Sequence, residues 1–87
     1  MSKTALFFKS KSCPVCKAVE PVFSDIADSF DGTVETGEID ITENIQKAID
    51  NGVMSVPTIV FLKDGDEIDR MTGMVSPDKL KQAFENL

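Results

Sequence analysis

Two cysteines at CxxC spacing, Cys13-Pro14-Val15-Cys16, are the residues of this chain best suited to redox or metal chemistry. They follow a continuous apolar run, Ala5-Leu6-Phe7-Phe8, and precede a stretch in which apolar residues recur at three- and four-residue spacing. That pattern puts a dithiol between a strand and the N-terminus of a helix. Backbone N–H groups of a first helical turn have no intrahelical acceptor, and the helix dipole adds positive partial charge there. Both favour thiolate over thiol, and the thiolate is the species that attacks disulfides. A second thiol at this spacing can displace whatever the first has captured. The pattern predicts dithiol–disulfide exchange.

Other uses of a cysteine pair fit less well. Structural zinc takes four protein ligands and catalytic zinc three, whereas this chain offers two cysteines and no histidine. A site within one chain would need two carboxylates as well; a metal or iron–sulfur cluster shared by two chains is the remaining metal option. A passive disulfide over so short a loop removes little chain entropy. No metal and no bound cofactor are expected, since a Cys13–Cys16 disulfide can itself carry two electrons.

Eighty-seven residues, 41% of them apolar, predict a single domain over 1–87. Two cysteines exclude the multi-bridge scaffold of small secreted proteins. No apolar run approaches the ~20 residues a bilayer requires, and Met1-Ser2-Lys3 leads directly into a strand-length apolar stretch. The expectation is a cytoplasmic monomer without membrane contact. The net charge of −6 is unevenly spread: residues 1–19 carry +4 and residues 20–87 carry −10. Lys9, Lys11 and Lys17 therefore accompany the cysteines, and would favour a Cys13 thiolate by Coulomb attraction. They could equally serve as solubilising flanks of a buried strand. The acidic remainder argues against nucleic-acid binding.

Thr4–Phe8 reads as a strand buried on both faces. A helix starts near Pro14, its missing N–H being harmless there, and Cys16, Val19, Phe23, Ile26, Ala27 and Phe30 form its apolar stripe. Pro21 lies inside the pattern and should kink the helix instead of ending it, since the periodicity resumes beyond it. Thr33–Ile39 reads as an edge strand, marked by Glu35 and Glu38. Asp40 or Thr42 is the expected cap of a short helix with Ile45, Ala48 and Ile49 facing inward, stopped at Asn51-Gly52. A central strand follows Val56-Pro57-Thr58, Lys63-Asp64-Gly65-Asp66 is a hairpin turn, and Glu67–Thr72 returns antiparallel. After Gly73, Ser76-Pro77 opens a last helix with the stripe Leu80, Ala83, Phe84 and Leu87. The order is βαβαββα: an α/β fold with a four-stranded mixed sheet and helices on both faces. Pro57 is admissible at a strand entry, and a cis bond there would expose the Val56 backbone.

Together these features resemble the thioredoxin family, and especially its short, glutaredoxin-sized members of archaeal, bacterial and phage type. The resemblance spans about Thr4–Leu87. It rests on Cys13-Pro14-Val15-Cys16-Lys17, Pro21, Ile39-Asp40, Val56-Pro57-Thr58, Asp64-Gly65 and Gly73. It implies a thioredoxin-like fold, with Cys13 as the attacking thiolate and Cys16 as the resolving thiol. Pro14, Val15, Lys17 and a cis Pro57 would support the site. The Val56 backbone would pair with an extended substrate segment, and Gly73 would line the same groove. Protein disulfides would be the substrates, and a thioredoxin reductase-type donor would restore the dithiol.

The departures are specific. Full-length members carry an additional strand and helix at the N-terminus; the resemblance here is to the short form. The family's tryptophan before the first cysteine is Ser12, and its glycine after that cysteine is Pro14, as in glutaredoxins. Its buried acid six residues before the first cysteine is Phe7, and that acid's lysine partner aligns with Thr36. A proton from Cys16 must then leave by another route. The nearest rival is a glutathione-dependent glutaredoxin, against which stand Val15 in place of tyrosine and Gly73-Met74 in place of a Gly-Gly pair. A redox-inactive binding module on the same fold is a further alternative.

Overall fold

The computed structural model describes residues 2–87. Strand β1 (Lys3–Lys9) is followed by helix α1 (Pro14–Ser29), strand β2 (Glu35–Asp40), helix α2 (Ile45–Asp50), strands β3 (Thr58–Lys63) and β4 (Asp66–Thr72), and helix α3 (Pro77–Glu85). The sheet order is β2-β1-β3-β4, with β1 parallel to β2 and antiparallel to β3, and β3 antiparallel to β4. The βαβαββα order and mixed sheet expected from the sequence are both present.

The continuous apolar run places β1 in the interior of the sheet, where both its faces are covered. Ala5 and Phe7 face α1 and α3, joining Cys16, Val19, Phe23, Ile59, Phe61, Leu80 and Phe84 in the larger core. Phe8 points the other way, to a smaller core with Ala48 and Val60. The centre of the larger core is aromatic. Phe84 meets Phe23, Phe30 and Phe61 at ring-centroid distances of 5.9, 5.3 and 5.5 Å, edge-on to Phe61. α1 runs through Pro21 to Ser29. α3 starts as the Ser76-Pro77 pair predicts, with the Ser76 side chain accepting from the Lys79 N–H.

The second helix departs from expectation. Its N-cap is Asn44, whose side chain accepts from the Lys47 N–H at 3.3 Å. Asp40 instead closes a turn, accepting from both the N–H and the hydroxyl of Thr42 at 2.9 and 2.6 Å. Only Ala48 faces inward; Ile45 and Ile49 are 63% and 62% exposed. At six residues the helix is under two turns long, too short for periodicity to fix which side is buried. The β3–β4 hairpin turns through Asp64 and Gly65, both at positive φ, as a two-residue loop requires.

These burials set a contrast in stability. Phe84→Ala should cost about 3–5 kcal/mol in denaturant unfolding. Ile49→Ala should change stability by less than about 0.5 kcal/mol; a cost of several kcal/mol there would mean that α2 packs through Ile49 after all.

Candidate redox site

Lys9 ends β1, and the chain then turns tightly through Ser10–Ser12. The Ser10 carbonyl accepts from the Cys13 N–H at 3.2 Å, and the Ser10 and Ser12 hydroxyls lie 3.2 Å apart. Cys13 is the N-cap of α1. Its extended backbone (φ −101°, ψ 105°) and Pro14 at the first helical position are the local reasons the helix begins here. The Cys13 sulfur accepts from the Cys16 N–H at 3.1 Å, taking the place that an oxygen fills in an ordinary cap. Cys13 and Cys16 are joined as a disulfide with their Cα atoms 5.2 Å apart. The two differ sharply in access: Cys13 is half-buried, whereas Cys16 is 1% exposed within the larger core. Pro14 and Lys17 are exposed, and Val15 presents an exposed apolar side chain beside them.

A second chain segment packs against the same core as the dithiol. The Val56–Pro57 bond is cis, Pro57 is buried, and Val56 and Cys13 both pack against the larger core. Among the described residues, neither the N–H nor the carbonyl of Val56 has a backbone hydrogen-bond partner. The Pro57 carbonyl accepts from the Gly73 N–H at 2.9 Å, which joins the Gly73 turn to this segment. Gly73 has φ +81°, and a Cβ there would meet no atom of the chain within 4 Å. Backbone conformation, not crowding, is what requires glycine at this turn.

Two of the three lysines near the cysteines are ion-paired. Lys9 Nζ bonds Glu20 of α1 at 2.5 Å and Glu38 of β2 at 2.8 Å. Lys11 pairs with Glu43 at 2.6 Å. Together with Lys17 and Asp40, these groups line a cleft of about 540 Å³, three lysines facing four carboxylates. The +4 of the N-terminal segment is thus offset by acids brought over from α1, β2 and the turn after it. Of the three lysines, Lys17 alone makes no ion pair among the described residues. Phe7, where the family places its buried acid, is fully buried in the larger core with Cys16.

The Thioredoxin family model matches residues 2–86. The chain belongs to the thioredoxin family. It is 33% identical over 73 residues to a Staphylococcus saprophyticus thioredoxin, covering 84% of this chain and 70% of that one. Thioredoxin 1 of Thermosipho africanus superposes with a TM-score of 0.84 at 31% identity, covering 95% of this chain and 91% of the other. Malassezia sympodialis thioredoxin gives a TM-score of 0.89 at 32% identity, covering 98% and 74%. With its cysteine pair at CxxC spacing, the chain is a dithiol protein-disulfide oxidoreductase of this family. Thioredoxin relatives set aside the glutaredoxin alternative. Thioredoxins generally act on protein disulfides and draw electrons from a thioredoxin reductase. Among the described residues, no group of three or more Cys, Asp or Glu side chains is arranged to hold a metal ion, and no helix is long and apolar enough to cross a membrane.

Reasoning from sequence missed the tie of Lys9 to Glu20 and Glu38. Strand pairing supplies half of it, since β1 and β2 run parallel with Phe7 opposite Glu38. Hydrogen bonds to Glu20 and then Glu38 raise the Lys9 pKa. A raised folded-state pKa gives stability that is fully present below the unfolded value of 10.5 and is lost as pH rises through the folded value. Lys9→Met should therefore cost about 0.5–1 kcal/mol at neutral pH, allowing for solvent screening. The difference from wild type should shrink in urea unfolding as pH is raised from 10.5 through the higher folded-state value; a gap that stays constant over that rise would show that packing of the alkyl chain, not charge, is responsible.

Proposed function

We propose that Cys13 is the attacking sulfur and Cys16 the resolving one. The observation that carries this assignment is the half-buried Cys13 at the N-cap of α1, its sulfur 3.1 Å from the Cys16 nitrogen, with Cys16 itself buried. In the reduced protein the Cys13 thiolate attacks one sulfur of a substrate disulfide. A mixed disulfide forms and the other substrate sulfur leaves as thiolate. Cys16, once deprotonated, attacks the Cys13 sulfur, forming Cys13–Cys16 and releasing the second substrate thiolate. Two electrons pass from the dithiol to the substrate, and protons lost from the cysteines are balanced by those taken up by the substrate thiols. No bound cofactor is needed, because sulfur holds both electrons. Burial protects the Cys16 thiol from competing partners until Cys13 has captured a substrate next to it.

Val56 offers its unpaired N–H and carbonyl to an extended substrate segment, as a strand adds to a sheet edge. Pro57 and Gly73 shape that groove, while Pro14, Val15 and Lys17 form its rim on the dithiol side. A flavin- or iron–sulfur-dependent reductase of the thioredoxin reductase type returns the oxidised form to the dithiol. The protein works as a monomer in the cytoplasm, where such donors keep thiols reduced.

Insulin-disulfide reduction separates the two sulfurs. Cys13→Ser should reduce turnover to the uncatalysed rate. Cys16→Ser should accumulate mixed disulfides through Cys13, visible on non-reducing gels and released by dithiothreitol. Wild-type turnover by Cys13→Ser would overturn the assignment.

A further inference from the structure

The chain has a single arginine, Arg70 on β4. Val60 and Leu62 face the α2 side of the sheet with Phe8 and Ala48, and their register partners on β4 are Arg70 and Glu67. Residues three apart on a regular strand point to opposite faces. Here the register shifts between Phe61 and Leu62, so that Ile68 is an extra residue and Glu67 and Arg70 come to the same face. The guanidinium takes the Glu67 carboxylate with two bonds, Nε to Oε2 at 3.0 Å and Nη2 to Oε1 at 2.7 Å. The remaining donors reach backbone on another element. Nη1 donates to the Gly52 carbonyl at 3.0 Å and Nη2 to the Asn51 carbonyl at 2.5 Å. Asn51 is the C-cap of α2, so the arginine satisfies carbonyls at a helix end.

Asn51 and Gly52 also open the segment that ends at Val56–Pro57. Its far end is tied by the Gly73 N–H to the Pro57 carbonyl at 2.9 Å. Both ties come from one stretch of chain, β4 and the turn that follows it. Between them the segment bulges into solvent, with Met54 97% exposed. The guanidinium is a rigid planar fork, already oriented by Glu67, so it fixes two carbonyls with little further loss of freedom.

We propose that Arg70, oriented by Glu67, is a positioning residue that holds the 51–56 segment so that the Val56 backbone is set for pairing with the substrate. The inference rests on the reading above that Val56 pairs with substrate.

The test is steady-state reduction of a protein disulfide by Arg70→Gln, Glu67→Gln, Arg70→Lys and Val56→Pro, with amide hydrogen exchange followed over residues 53–56. Arg70→Gln should raise KM about 5- to 20-fold, the loss of one or two charge-assisted bonds, with kcat within about twofold. Exchange of the 53–56 amides should quicken. Glu67→Gln should shift both readouts the same way but less, and Arg70→Lys should recover part of the loss. An Arg70→Gln KM equal to wild type, or a loss carried by kcat, overturns the proposal, as does unaltered exchange. Val56→Pro removes the amide and checks the pairing itself. If its KM is unchanged, the pairing reading fails and the inference with it. If its KM rises while Arg70→Gln matches wild type, only the role of Arg70 fails.

Discussion

A helix cannot supply acceptors for its own first N–H groups, and in this protein one of those groups is met by sulfur. Cys13 occupies the cap of α1, accepts from the Cys16 N–H, and is followed by a proline that fits the first helical position. The rest of the fold serves that arrangement. β1 is buried on both faces and so delivers the three-residue turn of Ser10–Ser12 to a fixed point. The apolar stripe of α1 seats Cys16 in the core while leaving Cys13 at the surface. The cis Val56–Pro57 segment packs against the same core.

Charge plays a smaller part than the primary structure implies. Clustered lysines near a thiol suggest a positive patch, but three dimensions bring Glu20, Glu38 and Glu43 onto Lys9 and Lys11. Exposed pairs of this kind contribute little to stability. Their effect is to offset the charge of two of the three lysines near the cysteines. What remains near the dithiol is the peptide dipoles at a helix end together with Lys17, which has no ion pair among the described residues.

Sequence patterns exposed most of this architecture because the strongest signals are local. A continuous apolar run, a sixteen-residue stripe, a Ser-Pro helix start and an Asp-Gly turn each have one physical solution, and each is found where expected. The pairing of Cys13 with Cys16 was legible for the same reason. Features that depend on contacts across the chain were not. Ile45 and Ile49 look like an inward face, yet six residues give no second turn to decide between faces, and only Ala48 is buried. Arg70 and Glu67 read as residues on opposite sides of a strand until the bulge at Ile68 brings them together. A bulge adds one residue to one strand and leaves no mark in a pattern of period two.

Phe7 has an implication for the whole interior. Among the described residues Thr58 is the only buried polar one, and no carboxylate or ammonium group is enclosed. Folding therefore encloses no ion among the described residues, and acidification acts on carboxylates of the outer shell. Under the proposed exchange, no buried carboxylate or ammonium among the described residues stands ready to take the proton of Cys16.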